Sequence, residues 1–318
     1  MERQKLKFEI LLEKLFTNFP RVLLTNLIFA APSLLFFTAF YFLSIAILGN
    51  ANIIFCLLSI IFIYPFYAGV VKVVRNIVRG DEKVSVFQTY ISGVKENFLP
   101  FLLHGVVISI LSIISFLSIN LYIGLMSQSW VFGVMLFFCV IVVLFLFFMS
   151  LYLPLMTVTF DIPLRYIYKN CLLMSYGEIK NNLFALLALA VFAAILLTVM
   201  FFSGSTLVFI IIVTALWALL VPAIFTFIYV FFIYDGMYRM ASGEGKKEYE
   251  KDKTSDGDKP KAKEPVVDEE DFSSIDITKL KDTDDYIYFN GKMVKQSTLL
   301  RMAREHEQTQ QEVNDNEL

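Results

Sequence analysis

Six long stretches of this chain contain no Asp, Glu, Lys or Arg, and the residues that make chemistry are almost as scarce. There are only 3 cysteines and 2 histidines in 318 residues. Cys56, Cys139 and Cys171 stand far apart, so neither a disulfide framework nor a cysteine-based zinc site is expected. No glycine-rich phosphate loop follows a strand, and no nucleophile stands beside a base. Catalytic, metal-binding and cofactor-binding residues are therefore not expected, and neither is an enzyme.

What the chain does contain is hydrocarbon: 57% of its residues are hydrophobic and 33 are Phe, a composition outside the range of soluble domains. The uncharged runs fall at about 22–48, 51–71, 100–122, 130–157, 183–202 and 206–233, each near or above the length that crosses a bilayer as a helix. None alternates apolar with polar residues as a barrel strand would. The expected fold is all-α and polytopic, with six transmembrane helices. The run from Val22 to Leu48 is too long for a cleaved signal and is expected to remain as the first span.

Charge sets the expected orientation. Residues 1–240 carry 14 Lys+Arg against 9 Asp+Glu, whereas 241–318 carry 13 against 20. The cations of the first part cluster before span one and between spans two and three and spans four and five. The opposite connections, near Gly49-Asn50, 123–129 and 203–205, have no charge. By the positive-inside rule both termini are expected in the cytoplasm.

The cytoplasmic connections have a pattern of their own. Phe8, Leu11, Leu12, Leu15 and Phe19 share one helical face before span one; Phe87, Tyr90, Ile91, Val94 and Phe98 do so before span three; Leu164, Ile167, Tyr168, Cys171 and Leu172 do so before span five. Ser85 with Gln88, and Asp161 ahead of Pro163, read as helix starts. An Asn step leads into each odd span, at Asn18, Asn97 and Asn181-Asn182. The even spans carry Pro65, Pro154 and Pro222. The expected plan is three helical-hairpin repeats, each with a cytoplasmic amphipathic helix, a span and a proline-bent span.

From about Ala241 the composition turns polar and acidic, and residues 241–318 are expected to be a largely disordered tail. Within it, the strand-Asn-Gly-strand pattern at 286–294 predicts a hairpin, and the stretch to 306 a short helix.

The remaining candidates are structural. Pro65, Pro154, Pro222, Gly105 and Ser109 are read as bend and helix-packing positions. Lys72, Arg75, Arg79, Lys95, Asn97, Arg165 and Lys169 are read as contacts at the inner face, where the ordinary partner of a cation is anionic lipid and not nucleic acid. His104, with no acid at its depth, reads as a packing histidine.

The segment VKVVRNIVRGDEKVSVFQTYISGVKENF, with Leu153-Pro154-Leu155-Met156 and the following DIPLRYIYKNCLLMS, resembles the YesL-like family of bacterial membrane proteins over about residues 10–240. The resemblance implies a compact multi-pass protein of the bacterial plasma membrane, of unassigned activity, often encoded beside sugar ABC importers. It supplies no catalytic residues. The expected function is a non-enzymatic membrane accessory or scaffold protein assisting a carbohydrate uptake system. The alternatives are a small-solute transporter or channel, and a lipid-interacting envelope scaffold.

Overall fold

In hydrocarbon each backbone group must be satisfied inside its own segment, and the uncharged runs accordingly become helices. The structure, a computed structural model, describes residues 6–81, 85–201, 206–242, 286–289 and 292–301. Its helices are α1 (Lys7–Thr17), α2 (Phe19–Leu48), α3 (Ile53–Leu58), α4 (Ile60–Arg79), α5 (Val86–Leu125), α6 (Trp130–Thr159), α7 (Leu164–Gly177), α8 (Ile179–Phe201), α9 (Thr206–Leu219) and α10 (Val221–Ser242). Six of them, α2, α4, α5, α6, α8 and α10, are long and apolar enough to cross a membrane. The chain is an all-α, multi-pass membrane protein, with one small strand pair among the described residues.

The residues group into two compact units, 1–158 with 164–236 and 159–163 with 237–318. In the first, polarity is turned inward. Leu35, Phe137 and Leu197 are exposed, while Thr25, Asn26, Asn97, His104, Ser109 and Thr226 are buried. That is the arrangement a helix bundle takes when its solvent is lipid and its polar groups must pair with each other.

The tightest pair is α4 with α5, and glycine is the reason. A Cβ on Gly69 would come within 2.6 Å of the Tyr90 ring; one on Gly93 would sit 3.1 Å from the Ala68 carbonyl oxygen. Backbones approach this closely only where a side chain is missing.

Two features depart from the expected repeat. The amphipathic segment before span three is not a separate helix but the first part of the 40-residue α5, which runs unbroken through Pro100. The close contacts of Gly93 and Tyr90 with α4 hold that segment in line with the span. The even spans differ as well: α3–α4 breaks at Ser59 and α9–α10 at Leu220, whereas α6 continues through Pro154. Ser85 is the N-cap of α5, yet its hydroxyl makes no capping bond.

In the second unit, β1 (Tyr286–Phe289) and β2 (Lys292–Lys295) pair antiparallel, with Tyr286 opposite Lys295 and Phe289 opposite Lys292. The expected hairpin is present, and residues 296–301 are helical. Phe160 forms a parallel bridge with Met293, and the Asp161 N–H donates to the Met293 carbonyl at 3.1 Å. Asp161 is thus a strand-like partner of β2 and not the cap of α7, which begins at Leu164. The expected disorder of the tail falls on residues outside those described.

Candidate functional site

Breaking a helix inside a membrane orphans backbone groups, and each break here has a dedicated partner. Pro222 has no N–H, so the Ala218 carbonyl loses its acceptor role in the helix. Asn26 of α2, fully buried, takes it over: its Nδ2 donates to the carbonyls of Trp217 and Ala218, both at 2.8 Å. Its Oδ1 accepts from the Ala223 N–H at 2.8 Å. One side chain therefore bridges three backbone groups across the break.

At the other break, Pro65 frees the Ile61 carbonyl. Gly105 of α5 lies against it: a Cβ there would be 3.0 Å from that oxygen. One turn on, the Ser109 hydroxyl donates to the Leu57 carbonyl at 2.9 Å. Pro65, Pro154 and Pro222 are all buried, and Gly105 and Ser109 are where the bundle packs against the first break.

Between these breaks lies a cavity of about 520 Å³. Its walls come from α2 (Phe29, Phe37), α3 and α4 (Ile53 to Tyr67), α5 (Ile108), α6 (Phe147, Ser150, Leu151) and α9–α10 (Trp217 to Tyr229). The lining is aliphatic and aromatic, with a few hydroxyls. The Ser59 and Ser150 hydroxyls donate back to their own helices, to the Cys56 and Phe147 carbonyls. The Trp217 indole N–H reaches Ser33 at 3.2 Å.

Two tyrosines of that wall belong to a directional chain. The Thr226 hydroxyl donates to the Pro222 carbonyl at 2.7 Å, so it accepts from Tyr67 at 2.7 Å. Tyr67 has then spent its proton, and Tyr229 donates to it at 3.2 Å. Tyr64 packs on Tyr67 and Phe101, and Phe101 on His104, with ring centroids 5.5–5.8 Å apart.

The same reasoning assigns His104. The Thr157 hydroxyl donates to the Leu153 carbonyl at 2.8 Å, so at 2.9 Å it accepts from His104 Nε2–H. Nδ1 is left as an acceptor and takes the Tyr168 proton at 2.8 Å. The imidazole is neutral, with one tautomer fixed by its neighbours. It packs α5, α6 and α7 together, as a packing histidine should. Burial, with a smaller contribution from Cys171, pushes the Tyr168 phenol up to about 12. Burial raises the Cys171 thiol as well, which makes it inert.

The cations expected at an accessible inner face divide. Lys95, Arg165 and Lys169 are exposed and Arg79 is half-buried. Lys72, Arg75 and Asn97 are instead buried. Lys72 Nζ binds both Glu96 oxygens at 2.8 Å and Ser92 at 3.1 Å. Arg75 Nη1 donates to the Val158 carbonyl at 2.5 Å, one of the last carbonyls of α6, where a cation meets the negative end of the helix dipole. Lys14 does the same for α4 through the Val78 carbonyl, at 3.0 Å. These charges close helix ends because, next to hydrocarbon, an unpaired terminal carbonyl costs more than an ordered lysine or arginine. Asn97 donates to the Gly93 carbonyl at 3.0 Å, and its Oδ1 is buried with no partner among the described residues.

The sequence did not mark Asn26, Tyr64, Tyr67 or Tyr229, and it marked Asn182 only as a step into span five. Asn182 joins α6 to α7, accepting from Tyr152 at 2.7 Å and donating to the Ser175 carbonyl at 3.1 Å. A usable signal existed for Asn26: an amide within an apolar run has to be satisfied by something. Nothing in the sequence says which tyrosines face one another. Among the described residues no cluster of three or more His, Cys, Asp or Glu could hold a metal ion.

No curated protein and no solved structure matches the chain. Residues 22–121, which run from α2 through most of α5 and include the α3–α4 break, Lys72, Arg75 and the Gly105–Ser109 contact, match the family described as "Protein of unknown function, DUF624".

Proposed function

We propose that this is a non-enzymatic accessory protein of the bacterial plasma membrane, a YesL-like relative with both termini in the cytoplasm, that assists a carbohydrate importer. One observation carries the non-transporting part of this reading. Most polar groups of the described interior are spent on one another, in the Asn26, His104, Tyr67 and Lys72 clusters, and the cavity between them is lined mainly by aliphatic and aromatic side chains. A sugar crossing such a bundle would exchange its hydration shell for almost no hydrogen bonds, which is prohibitive at several kcal/mol for a polyol. A scaffold needs no such path. The exposed Lys95, Arg165 and Lys169 suit anionic lipid at the inner leaflet.

Two experiments test it. The full chain in liposomes should pass no labelled mono- or oligosaccharide, and flux above empty vesicles would replace this reading with a transporter. Affinity purification in mild detergent should recover importer subunits in fixed ratio, and deletion of the gene should slow growth on the imported sugar. Recovery of a solitary protein with growth unchanged would overturn the importer assignment.

A further inference from the structure

We infer that the 520 Å³ cavity is a binding site for a single hydrocarbon chain bearing one hydrogen-bonding group, an acylglycerol-like amphiphile whose polar group meets Tyr64. Shape is the first argument. On α3–α4 alone the wall extends from Ile53 to Tyr67, roughly 20 Å at the rise of a helix, and it extends similarly from Trp217 to Tyr229 along α9–α10. A void so elongated suits a chain rather than a compact ring system.

The second argument is what would otherwise fill it. The cavity is open on one side, where Phe37, Ile53 and Trp217 are exposed, and a lining left unfilled forfeits dispersion contacts. Water is a poor filler, because the Ser59, Ser150 and Trp217 groups of the wall already have partners, and a buried water needs two to four of its own. The surrounding solvent of this bundle is itself made of hydrocarbon chains.

The third argument is polarity at one end. Of the three wall tyrosines, Tyr67 and Tyr229 are committed to the chain that ends on Thr226. Tyr64 makes ring contacts with Tyr67 and Phe101, and its hydroxyl has no hydrogen-bond partner among the described residues. Its phenol is free to donate to an ester carbonyl or hydroxyl, which fixes the register of the chain.

The chain has two tryptophans, Trp130 and Trp217. Trp217 lines the cavity, and Trp130 lies exposed at the start of α6. The full-length Trp130→Phe protein in detergent therefore reports on the cavity through Trp217 alone. Dibromostearoyl monoacylglycerol should quench it saturably at one equivalent, and dibromo-octadecane, which has the chain without the polar group, should bind more weakly. Tyr64→Phe should weaken the monoacylglycerol about three- to tenfold, the loss of one hydrogen bond, and bring it level with the alkane. Ser150→Phe and Ile63→Phe, which place a ring in the space, should each abolish saturation while unfolding as cooperatively as the parent.

Quenching that rises linearly with probe and ignores both filling variants would overturn the site. Equal binding of the two probes would overturn the role of Tyr64. Purified protein suffices for every measurement, so failure here is distinguishable from failure of the importer assignment.

Discussion

The break at Leu220 and the break at Ser59 pose one problem and meet it with different materials. At the first, a single amide on a neighbouring helix, Asn26, bonds three backbone groups. At the second, the neighbour contributes an absent side chain, Gly105, and a hydroxyl, Ser109, that reaches one carbonyl. The amide clamp is concentrated and directional, so it fails all at once. The glycine contact is spread over packed backbone and fails by degrees.

Asn26→Leu breaks the comparison hardest. It removes three bonds and leaves their backbone partners in hydrocarbon, for an expected loss of about 3–5 kcal/mol, measured as the shift of an SDS unfolding titration. A loss below that of the serine variant described next would show that the break at Leu220 is held by packing. Gly105→Val comes second: its side chain meets the Ile61 carbonyl and the Tyr64 Cβ at 3.0 Å, and overpacking of this kind costs about 1–3 kcal/mol. Ser109→Ala should cost about 1 kcal/mol in the same titration, since one interhelical hydroxyl bond is lost.

The smallest effect sharpens the contrast with a group outside the spans. The Tyr168 phenol is raised from 10.0 to about 12 by burial, so between those values the unfolded chain has lost its proton while the folded one keeps it. The stability from this group is full below pH 10 and is lost as pH rises to 12. Tyr168→Phe should flatten that part of the alkaline melting curve, and an unchanged slope would mean that Tyr168 is solvated.

Much of this architecture was legible. Long uncharged runs leave helices as the only solution, so the six passes and the hairpin at 286–295 followed from composition and an Asn-Gly step. The unbroken α5 was not legible, because Pro100 reads locally as a boundary and only the contact with Gly69 and Ala68 overrides it. The same holds for the cations. Lys72 and Arg75 look like surface charge in one dimension, and their burial depends on Glu96 and on the end of α6 arriving beside them. Pro65, Gly105 and Ser109 were recognisable as packing residues, but that they meet at one break needed three dimensions.

The strand-like pairing of Phe160 and Asp161 with Met293 ties an early-made link between two helices to residues synthesised long after it. Ribosomes deliver the N-terminal part first, so Phe160 and Asp161 wait for this partner until β2 emerges. Stop codons placed before Tyr286 would make that wait permanent, leaving a bare edge of the kind that recruits foreign strands.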